Sequence, residues 1–170
     1  MEYFDEKEKK FIEQIEKEDQ EDFFERSDIM DIHYMYSVGE LTKFFREIRD
    51  NEKLFGTRCS ICGFGFFPPR MNCQKCYTPC EWVELSGKGE IEAGTLVFFA
   101  VSKFGDKVPL TIAFIKMDEM DMAIRHTVVL QQEDKTMDNL KKGTRVKVKF
   151  KPKDQREGKI TDFYFVLDKT

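Results

Sequence analysis

The chain has 170 residues, of which 41% are hydrophobic and 35% charged, and its formal net charge is −4. This length suits one to two small domains with a modest core, and no apolar run approaches the roughly 20 residues that cross a bilayer. The first residues are charged and lack the apolar stretch of a secretory signal, so we expect a cytoplasmic protein. Because cytoplasmic thiols stay reduced, clustered cysteines favour metal binding over disulfides.

The charge is divided unevenly along the chain. Residues 1–40 contain 14 acidic and 5 basic side chains, whereas residues 41–170 contain 18 and 23. The acidic excess therefore lies in an N-terminal extension, and the body of the protein is mildly basic. A basic body favours an anionic ligand or an acidic partner, while a solvated acidic helix is the simpler explanation of the extension.

Residues 1–20 are predicted to form a charged helix, because Phe4, Phe11 and Ile15 make a narrow apolar stripe at helical spacing. Residues 21–37 combine acidic residues with many aromatic and methionine side chains. So much apolar surface on a short segment packs either on the rest of the chain or on another protein, and we favour a partner. The residues that we expect to contact it here are Phe23, Phe24, Tyr34, Met35 and Tyr36.

A second helix is predicted over about 38–53, because apolar residues recur on one of its faces. Gly56 ends this unit, and the cysteine-rich segment follows. The apolar positions are Leu41, Phe44, Phe45 and Ile48.

Four cysteines form two Cys-x2-Cys pairs, Cys59 with Cys62 and Cys73 with Cys76, and ten residues separate the pairs. Each pair places two thiolates on one tight turn, and this spacing is typical of a tetrahedral zinc site. Four thiolates leave no open coordination position, so we expect one structural zinc ion per chain. Iron in a rubredoxin-type site is the alternative, because the same ligands accept it. Cys80 is interpreted as a spare thiol or a competing ligand.

From Trp82 onward the apolar residues alternate with a period of two, which predicts β-strands. We expect five strands, the first of them long, and one short helical turn over 136–142 between the third and the fourth. This order predicts an OB-fold barrel, although a generic five-stranded antiparallel barrel gives the same pattern. The strands are expected at about 87–101, 109–117, 122–130, 144–150 and 160–167.

The predicted fold is therefore mixed. It consists of N-terminal helices, a four-cysteine zinc ribbon and a five-stranded antiparallel OB-fold barrel. We divide the chain into an acidic helical and aromatic extension over 1–37, a helix with the zinc ribbon over 38–80, and an OB-fold domain over 81–170.

The ribbon residues resemble those of a known protein family. The two cysteine pairs, the intervening Pro68-Pro69-Arg70, the following Trp82 and the segment 86–91 are similar to acyl-CoA-associated proteins that combine a rubredoxin-like zinc ribbon with an OB-fold. The resemblance covers roughly 38–168. The acidic turn 118–121 departs from the family, which often carries a glycine there.

Members of this family pair with thiolase-fold proteins that process acyl-CoA, and the partner carries the catalytic residues. The resemblance implies a noncatalytic accessory subunit of a thiolase complex, docked beside the CoA-thioester site of the partner. Because CoA carries several phosphate charges, we expect Arg58, Arg70 or Lys75 near the ribbon to contact them, and Phe66 and Phe67 of the aromatic loop to face the partner. The small subunit of the benzoylsuccinyl-CoA thiolase of anaerobic toluene degradation has the same ribbon and OB-fold build, which gives a narrower expectation for the acyl group.

The residues themselves agree that the chain lacks its own active site. Its two histidines, His33 and His126, have no evident nucleophile partner along the sequence, and no phosphate-binding glycine loop is present. A free-standing enzyme is therefore disfavoured, and we expect a hetero-oligomer that does not involve a membrane.

A single-stranded nucleic-acid-binding protein is the main alternative, because OB-folds and zinc ribbons both serve that role. Exposed aromatic rings would stack on bases, and the lysines of 147–153 would follow the backbone. The pI of about 5.4 disfavours this function. The candidate stacking residues are Phe98, Phe99, Phe104 and Phe114.

Overall fold

The computed structural model describes Ile32, residues 34–99 and residues 108–169. The chain divides into two compact units, Met1–Ser37 and Val38–Thr170. In the described part of the first unit, the ring centroids of Tyr34 and Tyr36 are 5.7 Å apart. Several predictions fall outside the described residues: the helix over 1–20, the partner contacts Phe23 and Phe24, and the stacking residue Phe104.

The second unit begins with a short 3₁₀ turn, Gly39–Leu41, and continues as helix α1, Thr42–Asn51. The Thr42 hydroxyl donates to the Gly39 carbonyl (2.5 Å) and joins the turn to the helix. Phe44 and Ile48, four residues apart, are buried on one face. The predicted second helix and its apolar face are confirmed. No helix among the described residues is long and apolar enough to cross a membrane.

Three short antiparallel strands form the ribbon sheet. They are β1 (Phe55–Cys59), β2 (Gly65–Phe66) and β3 (Cys80–Glu84), in the order β2-β1-β3. The central strand β1 ends at the first cysteine of the site, and β3 begins at Cys80, directly opposite Cys59. The sheet therefore carries the cysteines at one end.

Five further strands form a second antiparallel sheet in the order β6-β5-β4-β7-β8. Their bounds are β4 Lys88–Val97, β5 Leu110–Met117, β6 Ala123–Thr127, β7 Arg145–Phe150 and β8 Phe163–Leu167. A 3₁₀ turn, Met137–Leu140, lies between β6 and β7 as predicted. The remaining 3₁₀ turns of the described chain are Gln132–Asp134, Lys153–Gln155 and Ile160–Asp162.

The five predicted strands are confirmed, but the closed barrel is not. The edge strands β6 and β8 approach each other at one isolated parallel bridge, between Val128 and Phe165. There the Val129 N–H donates to the Phe165 carbonyl (2.7 Å). Because β6 ends at Thr127, too few residues run beside β8 to form a ladder. The sheet is OB-fold-like in strand number and order without being a closed barrel.

One apolar core joins α1 to the five-stranded sheet. Phe67 is completely buried in it and makes an edge contact with Phe44 of α1 (6.2 Å between centroids) and a tilted contact with Phe163 of β8 (6.5 Å). Ile91 and Ile115 fill the centre from β4 and β5. The prediction that Phe67 faces a partner is therefore wrong, since its ring lies between elements of its own chain.

The turn between β5 and β6 fixes the five-stranded sheet to the ribbon. Met120 is 2% exposed and fills the space beside Gly56 and Gly65, where an added Cβ would lie 2.8 and 2.9 Å from its sulfur. Asp121 exchanges two hydrogen bonds with Gly65: its carboxylate accepts from the Gly65 N–H (2.7 Å), and its own N–H donates to the Gly65 carbonyl (3.1 Å). The acidic turn that departs from the family pattern is thus a packing element.

A second link joins α1 to the segment between β7 and β8. The buried Arg156 donates to the Ile48 carbonyl (3.3 Å) and pairs with Glu52 (2.9 Å). Its segment is held by the buried carboxylate of Asp162, which accepts from the N–H groups of residues 157–159 at 2.7 to 2.8 Å. Helix, ribbon and sheet are therefore fixed to one another by polar contacts as well as by the core.

Candidate metal centre

The four paired cysteines converge at the end of the ribbon sheet. Their Sγ atoms all lie within 4.8 Å of one another, and the Cys62 and Cys73 sulfurs are 3.7 Å apart. A tetrahedral zinc ion with bonds of about 2.3 Å would hold its sulfurs about 3.8 Å apart. The arrangement is consistent with zinc, and four thiolates would complete the coordination of a structural ion.

The first cysteine pair lies in a turn that the backbone holds closed. The Gly63 N–H donates to the Cys59 carbonyl (2.9 Å), and the Cys59 N–H donates to the Phe64 carbonyl (3.0 Å). Gly63 has a φ of +72°, a left-handed conformation that glycine adopts without steric cost. The turn therefore positions its thiols by main-chain geometry.

The second pair repeats this construction. The Tyr77 N–H donates to the Cys73 carbonyl (2.8 Å), and the Cys73 N–H donates to the Thr78 carbonyl (2.9 Å). Tyr77 occupies the position of Gly63 and is also left-handed, with a φ of +55°. The sequence conceals this equivalence, because a tyrosine replaces the expected glycine.

Hydrogen bonds shift the pKa values of two thiols in opposite directions. The backbone N–H of Cys62, assisted by that of Ile61, lowers the pKa of Cys59 to about 6. A hydrogen bond with the Cys62 thiol, together with burial, raises the pKa of Cys76 to about 12. A bound cation requires the thiolate forms, so metal binding at neutral pH would release protons from this site.

Cys80 lies beside the group of four without belonging to it. It is 7% exposed and packs with Cys59, Cys73 and Phe66 in a small apolar cluster. Burial raises the pKa of its thiol. Of its two interpretations, this position favours the spare thiol, which here fills space beneath the site.

Phe66 belongs to the same cluster and is 1% exposed. Its ring lies 5.0 Å from that of Phe64. The prediction that Phe66 faces a partner is wrong for the same reason as for Phe67, because the loop turns both rings inward. Tyr34, Met35 and Tyr36 are exposed, and their contact with a partner remains a prediction.

The three cations predicted to contact CoA have different surroundings. Arg58 donates to the Gly63 carbonyl (2.6 Å) and to the Glu119 carbonyl, so it ties the first cysteine turn to the turn between β5 and β6. Arg70 is exposed and donates to the Gln74 side chain (3.3 Å). The Lys75 ammonium lies 4.8 Å from the centre of the Phe64 ring. Arg70 thus precedes the second cysteine pair and Lys75 lies within it, whereas Arg58 has a structural role.

His126, the histidine that the structure describes, is engaged by the fold. Its Nε2 lies 3.0 Å from the Ile160 carbonyl, and its ring stacks on Phe163 at 4.6 Å between centroids. Among the described residues we find no pairing of a nucleophile with a base.

Sequence reasoning missed Met120 and Asp121, which hold the ribbon in place. The available signal in the sequence was the pair of glycines, Gly56 and Gly65, that leaves space for the Met120 side chain.

Residues 82–151 match the family model of the C-terminal OB-fold domain of ChsH2. The chain is also 35% identical over 92 residues to a DUF35 domain-containing scaffold protein of Methanocaldococcus jannaschii. A protein of the same description from Methanothermobacter thermautotrophicus is 31% identical over 84 residues. These alignments cover 53% and 48% of this chain, which spans 65% and 63% of the lengths of those relatives, less than two thirds of either.

Two solved structures share the fold over more of the chain. A chain of the Ltp2-ChsH2(DUF35) aldolase superposes with a TM-score of 0.55 and 17% identity, covering 78% of this chain and 96% of that one. A DUF35 family protein of unknown function from Sulfolobus solfataricus gives 0.55 and 22%, covering 79% and 90%. At these identities the likeness concerns the fold alone. The chain therefore has the fold of DUF35 structures, and its OB-fold part is similar to the C-terminal domain of ChsH2.

Proposed function

We propose that this chain is a noncatalytic accessory subunit that docks on a thiolase-fold enzyme and supports its CoA-thioester site. The observation that carries the proposal is the similarity to two archaeal proteins described as DUF35 domain-containing scaffold proteins. A chain of the same fold occurs in a structure named as the Ltp2-ChsH2(DUF35) aldolase, which agrees with a subunit that accompanies an enzyme.

The architecture of the ribbon supports a scaffold rather than a catalyst. Four thiolates around one ion leave no position for a substrate, so the metal would stabilise the ribbon. Met120, Asp121 and Arg58 fix that ribbon to the five-stranded sheet. A rigid platform of this kind suits a surface that orients a partner, and the partner would supply the nucleophile and the acid or base.

The charge of the ribbon supports an anionic ligand. Residues 55–80 contain three basic and no acidic side chains. We assign phosphate contacts to Arg70, which precedes the second cysteine pair, and to Lys75, which lies within it, while Arg58 holds the first cysteine turn. Arginine and lysine both bind phosphate, the former through two parallel hydrogen bonds.

The nucleic-acid alternative needs a row of free cations, and most of the cations on and just beyond β7 are paired. On β7 and just beyond it, Lys147 pairs with Asp168 (2.9 Å), and Lys151 lies 3.9 Å from Asp162. Arg145 forms two hydrogen bonds with Asp118 (2.7 and 2.5 Å). These acids neutralise most of the alternating cations, so β7 has few free cations with which to bind the phosphates of a polyanion.

Copurification tests the proposal. The full chain would be tagged and co-expressed with a thiolase-fold protein from the same organism. We expect a complex of fixed stoichiometry that contains one zinc ion for each copy of this chain. Recovery of a zinc-loaded chain without the thiolase-fold protein would contradict the assignment. Benzoylsuccinyl-CoA is the substrate that we propose to test first on such a complex.

A further inference from the structure

The outward face of β4, β5 and β6 contains a shallow depression of ≈ 320 Å³. Ala93 pairs with Phe114, and Phe114 in turn pairs with Arg125, so the hollow crosses three strands. Its volume is at the low end of the roughly 300–1,000 Å³ of small-molecule sites. The lining residues are Ala93, Gly94, Thr95, Ile112, Phe114 and Arg125.

The hollow exists because the outward residues of β4 are small. Gly94 contributes only backbone to it, since an added Cβ would point to the other face of the sheet, 2.8 Å from the Leu140 carbonyl oxygen. Its exposed neighbours Ala93 and Thr95 fill little of the outward face. The ring of Phe114 is consequently 50% exposed beside them, although an aromatic residue at such a position usually packs on a bulky neighbour.

Arg125 is exposed, and within the described residues it makes no ion pair, side-chain hydrogen bond or cation–π contact. Other arginines of the second unit are engaged: Arg145 with Asp118, and Arg156 with Glu52. A guanidinium without an acid partner is available to an external anion. Its strand register places it next to Phe114, so the anion and an aromatic group of one ligand would be bound side by side.

We propose that this depression binds a mononucleotide-type ligand, with its base against Phe114 and a phosphate group on Arg125. Aromatic rings accept any base by stacking, and arginine binds phosphate through paired hydrogen bonds. One ring and one unpaired cation match a single nucleotide better than a nucleic-acid strand of several nucleotides. The hollow contains neither Arg70 nor Lys75, to which the CoA phosphate contacts are assigned above, so this nucleotide site is additional to the proposed function and does not rest on it.

Binding of adenosine 3′,5′-bisphosphate to the full chain, measured by calorimetry, tests the site. We expect Phe114→Ala and Arg125→Ala each to weaken binding by about tenfold or more. Phe114→Leu keeps an apolar side chain but removes the ring, so it should weaken binding as much as Phe114→Ala does. Arg125→Lys keeps the charge and should retain part of the affinity. Lys149→Ala, an exposed strand cation outside the hollow, is the matched control and should bind as the unaltered chain does. Circular dichroism would verify that every variant folds.

Three results would overturn the proposal. The first is absence of bisphosphate binding by the unaltered chain, and the second is equal binding by the Phe114 and Arg125 variants. The third is affinity that rises with oligonucleotide length and falls steeply with salt, which indicates a nucleic-acid surface. Copurification with the thiolase-fold protein would be measured on the same variants. Binding without copurification would support this site and contradict the accessory role. Copurification without binding would support the accessory role and contradict this site.

Discussion

At the scale of single residues, the cysteine turns depend on two left-handed positions that the sequence fills differently. Gly63 suits its φ of +72°, whereas Tyr77 holds a φ of +55° despite its side chain. The left-handed conformation costs a residue with a Cβ roughly 1–2 kcal/mol. The ring of Tyr77 is 86% exposed and gains little from packing. The second turn is therefore the more strained of the two.

Replacing Tyr77 by glycine should accordingly stabilise the protein by about 0.5–1 kcal/mol, since the relief of strain exceeds the added entropy of the unfolded chain. Gly63→Ala should destabilise it by about 1 kcal/mol. Denaturant unfolding of the zinc-loaded protein measures both changes. Destabilisation by Tyr77→Gly as large as that by Gly63→Ala would contradict the equivalence of the two turns.

The ribbon arginines should respond differently to truncation. Arg58→Ala removes donors from two backbone carbonyls and should cost about 1–3 kcal/mol of stability. Arg70→Ala should leave the unfolding temperature unchanged and, in the proposed complex, raise the KM for a CoA thioester several-fold. Lys149→Ala serves as the control for loss of a surface charge. An Arg70 variant with unaltered KM would remove this residue from the CoA site.

Protonation of the site cysteines should govern zinc binding. Thiolates are the binding forms, so affinity falls as pH falls. Cys59, whose pKa is lowered to about 6, is ionised at pH 8, while Cys76, whose pKa is raised to about 12, still carries its proton. Zinc binding at pH 8 should therefore release at least one proton, measurable by calorimetry in buffers of different ionisation enthalpy. Binding without proton release would contradict these ionisation states.

At the scale of elements, the turn between β5 and β6 determines how ribbon and sheet are joined. Met120→Ala should destabilise the protein by about 2–5 kcal/mol, because the side chain fills the space between the two sheets. Met137→Ala is the matched control, since that side chain is 51% exposed and should change stability by less than about 0.5 kcal/mol. Equal thermal unfolding of the two variants would show that this contact contributes little.

Elements also differ in how well the sequence predicts them. Alternating patterns located the five strands, and cysteine spacing located the site, because both signals are local. Barrel closure depends on how far β6 and β8 run side by side, which strand patterning does not encode. The burial of Phe66 and Phe67 was missed because loop aromatics have no periodicity, and their contacts, such as Phe67 with Phe163, are distant in sequence. The neutralisation of Lys147 by Asp168 is hidden for the same reason.

At the scale of the whole molecule, the second unit is a ribbon, a helix and a sheet held by shared contacts. Met120 joins sheet to ribbon, and Arg156 joins the segment between β7 and β8 to the helix. A rigid body of this kind suits the proposed scaffold role, because a metal held by the four cysteines would fix the turns that the ribbon presents to a docked protein.

Thiolytic activity of the thiolase-fold partner, assayed with CoA and an acyl-CoA such as benzoylsuccinyl-CoA, tests that account most directly. The partner would be measured alone, with this chain, and with a Cys59→Ser and Cys73→Ser double variant whose metal site is lost. We predict activity only with the unaltered, zinc-loaded chain. Full activity of the partner alone would contradict the central claim.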